Sequence, residues 1–340
     1  MTLVMTGDVL LHPPLWDQAR ADAKALSSSS AFDFRPLLAG QKAIVSGADV
    51  ALCHLETPLA REGGPYRGYP SFTVPPEIAP ALVDTGYDAC STASNHTMDA
   101  GTAGIDRTLD TLDADHLRHT GSARSAAEAR TILTFDVRGT TVAMLSYAYG
   151  LNGRSNPAGE PWHVNIIDPA RILADAHRAK AGGADVVVVA LHWGTEYVHP
   201  PTAQQRALAD RLTASKDVDV VYGHHAHVVQ PVAKVHGKWV VYGLGNTVAA
   251  HSVRRLDNRE GLLVRVQLVH SGGRWRSGRL DWVPSYVAES PYRWVDLTKA
   301  LRDGGLSAST RAVYANSAKR IEGVVDSLGA ADDGAHLLDP

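Results

Sequence analysis

The sequence is poor in cysteine and phenylalanine and has no long apolar run. Only two of its 340 residues are cysteine, Cys53 and Cys90, and only four are phenylalanine. Two cysteines exclude a scaffold of several disulfides and a zinc site made of thiolates. No stretch reaches the roughly 18 uncharged apolar residues that would span a membrane, and the first residues lack the basic segment of a secretory signal. We therefore expect a cytoplasmic protein that does not bind a membrane.

The charge balance is close to neutral. Lys and Arg number 33 against 36 Asp and Glu, which gives a formal net charge of −3. A protein that neutralises nucleic-acid phosphates needs a concentrated basic face, so this balance argues against a nucleic-acid partner. A hydrophobic share of 44% and a charged share of 20% are typical of a globular chain.

Short apolar strands alternate with helical stretches, which predicts an α/β fold with buried sheets. The clearest buried strand is Asp185–Leu191, with the sequence DVVVVAL. The other strands that matter for function are predicted at Leu3–Met5, Val50–Cys53, Ala89–Ala93, Val218–Tyr222 and Trp239–Tyr242. We expect residues 291–340 to form a helical extension whose tail frays from Ala330 onward.

Polar side chains follow the predicted strands at the point where each strand ends. In open α/β folds ligands bind at the carboxyl ends of the strands, so these side chains should converge on one rim. Histidine is unusually abundant, with 16 residues. Carboxylate, amide and imidazole groups without thiolates suit a divalent metal such as Mn, Fe, Zn, Mg or Ca. The residues concerned are Asp8, His54, Glu56, Asn95, His96, Asp99, His192, His224, His225 and His227.

Each of these residues also has a structural explanation when taken alone. Asp8 could cap a turn or a helix, His192 could be a buried structural histidine, and Asn95 could occupy a left-handed turn. The three imidazoles within residues 224–227 are harder to explain as structure, because they would crowd like charges when protonated. Taken together, the set favours a metal site. His12 is a further candidate because it closely follows Asp8.

Over roughly residues 1–290 the ordered motifs resemble those of CapA-type proteins, the poly-γ-glutamate capsule synthesis proteins. The motifs are Gly7–Val9, Leu55–Leu59, Ser94–Gly101, His192–Tyr197, Gly223–Pro231 and Tyr242–Asn246. The resemblance implies a calcineurin-like metallophosphoesterase fold, a sandwich of two mixed β-sheets flanked by helices. It also implies one metal-dependent catalytic domain over residues 1–290.

The resemblance also implies roles for individual residues. It implies acid/base chemistry at His96, with Asp99 orienting its imidazole. His225 and His227 match the His-x-His pair of the family, and we assign His225 to the metal and His227 to acid/base chemistry. His54 stands where the family usually has asparagine, and we assign it to acid/base chemistry as well. The metal ligands that the motifs imply are Asp8, Glu56, Asn95, His192 and His225.

Two kinds of reaction are compatible with such a site. A metal hydroxide with a His–Asp dyad would hydrolyse a phosphoester or an amide. The imidazole of His54 indicates another possibility, in which two acid/base groups face each other across a substrate and invert its Cα. A cation near the adjacent carbonyl would then stabilise the developing charge.

This second arrangement resembles the epimerases of lasso-peptide biosynthesis, which invert the C-terminal residue of a ribosomal precursor peptide. We therefore expect a metal-dependent peptide epimerase with a precursor peptide as its partner. The resemblance implies a divalent metal, with Ca²⁺ preferred and Mn²⁺, Zn²⁺ or Fe²⁺ as alternatives. A hydrolase linked to poly-γ-glutamate and a non-catalytic member of a polyglutamate assembly remain open as alternatives.

Substrate-binding residues are predicted on two segments. Arg254 and Arg255 form a basic patch with Arg259 and could pair with a substrate carboxylate through bidentate hydrogen bonds. The same arginines could equally belong to a solvated loop. Glu196 is predicted at the mouth of the pocket, with a packing role as the alternative.

Overall fold

The computed structural model describes residues 1–252 and 255–338 of the chain. Strands and helices alternate along most of it. The strands are β1 (Thr2–Val9), β2 (Val50–Leu55), β3 (Ala89–Ser91), β4 (Arg118–Thr120), β5 (Leu133–Val137), β6 (Thr140–Ala148), β7 (Val186–His192), β8 (Val220–His224), β9 (Val232–Val235), β10 (Lys238–Val241), β11 (Asn246–Val248), β12 (Glu260–Ser271), β13 (Arg274–Ala288), β14 (Arg293–Asp296) and β15 (Ala335–Leu337). The helices are α1 (Pro13–Ala25), α2 (Arg35–Leu38), α3 (Lys42–Val45), α4 (Ile78–Thr85), α5 (Gly101–Ala114), α6 (Ala126–Arg130), α7 (Pro169–Ala181), α8 (Ala203–Ala214), α9 (Leu297–Arg302) and α10 (Ala308–Val325).

The strands form two mixed sheets. Within residues 1–252 and 255–338, the larger sheet has nine strands in the order β14-β13-β12-β1-β2-β3-β4, with β11 beside β1 and β15 beside β13. The smaller sheet has six strands in the order β5-β6-β7-β8-β10-β9. Strands β1 to β4 run parallel, as do β6, β7, β8 and β10. The predicted fold class, a sandwich of two mixed sheets flanked by helices, is confirmed.

The alternation of side chains along each strand separates three apolar layers. Because successive side chains point to opposite faces, Leu3 and Met5 of β1 pack inward against Val188 of β7 and Tyr222 of β8, between the two sheets. The intervening side chains face outward and are covered by helices. On the larger sheet these helices include α1, α4 and α5, and on the smaller sheet α7 and α8.

Helix α1 is absent from the sequence prediction. It begins at Pro13, where proline is well tolerated because the first amide of a helix has no internal acceptor. Its buried side includes Leu15, Trp16, Ala19 and Ala23. The sequence did not predict this helix for two reasons. Two of its buried residues are alanines, which give only a weak apolar pattern, and its two first prolines are typical of a loop.

The C-terminal segment is more closely integrated than predicted. Helices α9 and α10 agree with the expected helical extension, but β14 and β15 both pair with β13 of the larger sheet. The tail was expected to fray from Ala330, whereas Ala330 and Ala335 are buried and the amide of Leu338 donates to the carbonyl of Trp282. Small side chains permit this close docking, so residues 330–338 complete the sheet.

The two cysteines lie opposite each other on neighbouring strands. Cys53 of β2 and Cys90 of β3 are in register, are both fully buried and form a disulfide. This single cross-link ties together two strands that lead into predicted site residues. In the part of the chain that the structure describes, no helix combines the length and apolar character needed to cross a bilayer.

Glycine allows very close backbone packing where the strands enter the site. A Cβ at Gly7 would overlap the carbonyl oxygen of Gly245, and one at Gly223 would overlap that of Tyr242. Asp8 and His224 directly follow these two glycines. The closeness of the backbones therefore sets the positions of both side chains.

Replacing Gly7 with alanine should destabilise the fold. We expect Gly7→Ala to lower the free energy of unfolding by about 1–3 kcal/mol, because the added methyl group forces the backbones apart. Urea unfolding followed by circular dichroism measures this change. Gly150→Ala is the matched control, since a Cβ there meets open space. Equal stability of the two variants would contradict the packing argument.

Candidate metal centre and substrate cleft

Strands from both sheets deliver the predicted metal-binding side chains to one place. Asp8 of β1 is in register with His54 of β2, and His54 with Ser91 of β3. In the other sheet His192 of β7 is in register with His224 of β8. Because all five strands present their carboxyl ends, the side chains meet at one rim. The predicted metal ligands Asp8, Glu56, Asn95, His192 and His225 all lie there and are all buried.

Asp8 is surrounded by hydrogen-bond donors. His224 Nδ1 lies 2.8 Å from its Oδ1 and His227 Nδ1 lies 3.1 Å from its Oδ2. The backbone amide of His225 also donates to Oδ2, at 3.2 Å. Burial opposes ionisation, but the hydrogen bonds from His224 and His227 outweigh it and hold the pKa of Asp8 well below its usual value.

Glu56 is buried without such donors. Neither of its carboxylate oxygens has a hydrogen-bond partner among the described residues. Oε1 lies 3.7 Å from His227 Nε2 and 3.9 Å from His192 Nε2. Burial raises the pKa of Glu56 well above its usual value. Burying a carboxylate without hydrogen-bond donors costs folding free energy. Two buried oxygens without partners therefore indicate that a cation binds there.

Two further buried atoms are aimed into the same region without partners in the described part of the chain, namely His224 Nε2 and His225 Nδ1. Two groups of three residues share Asp8, and in each group one donor atom per residue lies within 4.8 Å of the others. The groups are Asp8, Glu56 and His227, and Asp8, His54 and His224. A third such group is formed by Glu196, His225 and His227. Oxygen and imidazole donors at this spacing fit a divalent metal, and they do not fix its identity.

His192 and Asn95 close one side of the centre. His192 Nε2 lies 2.9 Å from Asn95 Oδ1, and the Asn95 amide nitrogen donates to Asn152 at 3.2 Å. The ring of Tyr149 covers this side, with centroids 4.5 Å from His225 and 6.3 Å from His192. Sequence analysis missed Tyr149, because an exposed tyrosine in a loop carries no distinguishing signal.

His54 is buried too deeply to reach a substrate in the cleft. It is fully buried, with Nδ1 2.8 Å from Ser91 Oγ and Nε2 3.0 Å from His192 Nδ1. Its ring stacks on that of His224 at 4.0 Å between centroids. Burial, and then the charge of His224, hold its pKa well below the usual value. Since β2 turns His54 toward the other sheet, the residue lies among the candidate metal donors and is not one of the residues that line the cleft.

His96 and Asp99 form a hydrogen-bonded dyad. His96 Nδ1 lies 2.7 Å from Asp99 Oδ2, and the backbone amide of Phe72 donates to the same oxygen at 2.7 Å. The Phe72 ring meets the His96 ring edge-on at 4.9 Å. The carboxylate fixes the tautomer that keeps the proton on Nδ1, which leaves Nε2 as an acceptor.

An open cleft of about 1120 Å³ lies beside the centre. His96 and Asp99 line it together with three further histidines, His227, His12 and His251. His251 is not among the residues predicted for the site. The ring of His251 lies 4.7 Å from that of His12 and 4.8 Å from that of His227. Burial, and then the charge of His227, lower the pKa of His251 to about 2 and that of His12 to about 4.

His227 joins the metal centre to the cleft. Its Nδ1 contacts Asp8, and Asn246 Oδ1 lies 3.1 Å from the same nitrogen. Burial alone would lower its pKa, but the carboxylates of Glu56 and Asp8 raise the pKa of His227 to about 9.

The predicted substrate-binding residues are distributed differently from expectation. Glu196 is exposed and lines the cleft. Arg255 pairs with Asp257 at 2.8 Å and lies 5.6 Å from the Tyr197 ring, so its guanidinium is already engaged. Arg259 lines the cleft and pairs with Glu289. Arg254 lies outside the described residues.

Comparison with known proteins identifies a family. The family described as "Bacterial capsule synthesis protein PGA_cap" matches residues 2–251. The PGA biosynthesis protein CapA of Bacillus subtilis (strain 168) is 31% identical over 219 residues, which cover 63% of this chain and 54% of that protein. The capsule biosynthesis protein CapA of Bacillus anthracis is 28% identical over 218 residues, which cover 63% and 51%. The chain thus spans about half the length of these curated relatives.

Two solved structures match most of this chain at low sequence identity. The calcineurin-like phosphoesterase YfkN from Bacillus subtilis has a TM-score of 0.47 and 14% identity, covering 95% of this chain and 98% of that one. A 5'-nucleotidase precursor from Thermus thermophilus has a TM-score of 0.48 and 15% identity, covering 95% of this chain and 59% of that one.

Removing either buried carboxylate should abolish tight metal binding. We expect Asp8→Asn and Glu56→Gln each to weaken binding of Mn²⁺ or Ca²⁺ at least tenfold, because each keeps the side-chain shape but removes a charge from the centre. Elemental analysis after loading and desalting, together with calorimetric titration, measures this. Glu322→Gln, an exposed change on α10, is the control. Undiminished metal content in both site variants would place the metal elsewhere.

Glu56 should destabilise the metal-free protein as pH rises. Its folded-state pKa is raised, so folding favours the protonated form, and stability falls as pH climbs above the usual glutamate pKa of about 4.3. Glu56→Gln removes this loss, so the metal-free variant should exceed the wild type in unfolding free energy at pH 8 but not at pH 4. Metal should reverse the order at pH 8 by binding the folded wild type. Denaturant unfolding at both pH values, with and without metal, checks the prediction; parallel pH profiles of the two proteins would refute it.

Proposed function

The chain belongs to the family of bacterial capsule synthesis proteins described as PGA_cap, and on that premise we propose that it is a metal-dependent peptide epimerase. The proposed substrate is a ribosomal precursor peptide of the lasso type, and the proposed reaction inverts the Cα of its C-terminal residue. The observation that supports this most directly is that two imidazoles, His96 and His227, line one cleft beside the candidate metal centre. Each of them contacts a buried carboxylate, Asp99 and Asp8 respectively.

The two imidazoles have complementary roles in the proposal. His96 keeps a proton on Nδ1 through Asp99 and offers the free Nε2 to remove a proton from Cα. His227, oriented through its Nδ1 by Asp8 and Asn246, returns a proton to the opposite face. Inversion requires two such groups, because a single base would return the proton to the face from which it came.

The Cα proton of a peptide is a weak acid, so the site must also stabilise negative charge. A divalent cation, when bound, would supply that stabilisation near the carbonyl or carboxylate next to Cα. The side chains that would hold it are Asp8, Glu56, Asn95, His192 and His225. An open cleft of about 1120 Å³ gives room for several residues of a peptide beside this centre.

A second function, hydrolysis of a phosphoester or amide, is favoured by one specific observation. Asp8 belongs to two neighbouring groups of donor atoms, one with Glu56 and His227 and one with His54 and His224. A carboxylate shared in this way suits a pair of cations, which is an arrangement used for hydrolysis. His227 would then be a ligand, and His96 with Asp99 would protonate the leaving group. The names of the curated relatives point to a substrate related to poly-γ-glutamate for this alternative.

The proposal places the reaction in the cytoplasm, as the sequence predicts. The Cys53–Cys90 disulfide weighs against this location, because such bonds are typical of oxidising compartments. Cell fractionation combined with thiol labelling under denaturing conditions distinguishes the two: a cytoplasmic protein should yield two free thiols.

Hydrogen exchange at the C-terminal Cα tests the proposed reaction. We expect the metal-loaded protein in D₂O to add one deuterium to the C-terminal residue of accepted members of a synthetic peptide library, with inversion seen by chiral amino-acid analysis. His96→Ala and Asp99→Asn should each lower the rate, His96→Ala by about 10²–10⁴-fold, since a positioned acid/base group contributes that much. His270→Ala, on the exposed end of β12, is the control.

The same samples separate the two functions. Two metal equivalents, turnover of a generic phosphoester and no solvent exchange into any peptide would replace the epimerase with the hydrolase. Exchange that survives in both His96→Ala and Asp99→Asn would also overturn the assignment of His96 as the base.

A further inference from the structure

A second pocket, of about 280 Å³, adjoins the cleft and is lined by three arginines, Arg61, Arg67 and Arg107. It shares Ser71, Phe72 and Asp99 with the cleft, so one ligand can reach both. Neither the reaction proposed above nor the metal centre uses these arginines. Their presence in one small pocket therefore calls for a separate explanation.

The three guanidinium groups are not neutralised by neighbouring acids. Among the described residues none of them forms an ion pair. Arg107 donates from Nε to the carbonyl of Leu59 at 2.8 Å and from Nη1 to that of Ala103 at 3.3 Å, which fixes its position without cancelling its charge. Burial lowers the pKa of Arg107, and the charge of Arg61 lowers it further. Like charges are thus held near each other.

The loop that carries two of these arginines has a defined backbone. Arg67 and Thr73 exchange both backbone hydrogen bonds, at 2.8 and 3.0 Å, which closes the segment between them into a hairpin. This pairing places the exposed side chain of Arg67 at the pocket together with Arg61. The positive charges are therefore arranged by the fold and are not spread along a free loop.

The pocket has little negative charge near it, and the start of a helix adds to its positive potential. Asp99 is the only acidic residue among those lining it, and its Oδ2 is already engaged by His96 and the Phe72 amide. Helix α5 begins at Gly101, directly after Ala100 of the pocket wall, with no side-chain cap and no acidic residue in its first turn. The positive end of its dipole therefore lies at the pocket.

We propose that this arginine pocket is an oxyanion subsite that binds a carboxylate or phosphate group of a ligand whose remainder lies in the cleft. Arginine forks bind both anions through paired, charge-assisted hydrogen bonds. The inference does not depend on which reaction the metal centre carries out, because it concerns binding alone. It adds a requirement for the ligand: a negative group a short distance from the part that reaches His96.

Protection from chemical modification tests the subsite residue by residue. The full-length protein is treated with phenylglyoxal, which modifies accessible arginines, and the rate at each arginine is read by peptide mass spectrometry. We expect triglutamate or inorganic phosphate to slow modification of Arg61 and Arg67 at least threefold. Arg276, an exposed arginine on β13, serves as the internal control and should react at the same rate throughout.

Binding measurements on variants complete the test. The double variant Arg61→Gln/Arg67→Gln should bind the protecting probe at least tenfold more weakly than Arg276→Gln, and wild-type binding should weaken as salt is added. Protection by triglutamate alone identifies a carboxylate subsite, and protection by phosphate alone identifies a phosphate subsite. Protection by neither probe, or equal slowing at Arg276, overturns the proposal. Because the readout needs no turnover, it stands whether or not epimerisation is observed.

Discussion

The burial of two carboxylates among imidazoles is the constraint on which the rest of the site depends. Asp8 is stabilised by three donors from one short segment, residues 224–227 at the end of β8. Glu56, equally buried, has no donor in the described part of the chain. A fold that required only a packed core would place an apolar side chain at residue 56, because an unpaired buried carboxylate is expensive. A cation would offset that cost, which is why the metal centre follows from the protein's own electrostatics.

This burial in turn depends on how the two sheets meet. The contact between His54 and His192 and the contact between Asp8 and His224 both cross from one sheet to the other. Within each sheet the backbones also approach closely, since a Cβ at Gly7 would overlap Gly245 just before β11 and one at Gly223 would overlap Tyr242 just after β10. The polar cluster and the apolar layer between the sheets are therefore parts of one packing arrangement. A shift of either sheet would separate the donor atoms that the cation needs.

The sequence was sufficient to predict those site positions that follow from strand direction alone. Parallel strands end at one edge, so polar residues after strands predicted the convergence of Asp8, Glu56 and His192. The sequence was insufficient where the position of a side chain depends on tertiary contacts.

Nothing local distinguishes His251 from a surface histidine, yet its ring packs against those of His12 and His227. His54 was assigned to acid/base chemistry because it replaces an asparagine, and only the direction in which β2 turns its side chain places it among the candidate metal donors and away from the cleft lining. Arg255 is engaged by Asp257, two residues away, which charge patterning did not indicate.

His227 has two possible roles in the proposed chemistry. Its imidazole can bind the metal or exchange a proton with the substrate, but it cannot do both at once. Its Nε2 lies 3.7 Å from Glu56 Oε1, and both residues belong with Asp8 to one group of candidate metal donors. If that group held the cation, His227 would be a ligand, and His96 with Asp99 would remain as a single acid/base dyad, as the proposed hydrolysis requires. If the other donors held the cation, Nε2 of His227 would be available to carry a proton, as the proposed inversion requires. The two proposed reactions therefore make opposite demands on one side chain.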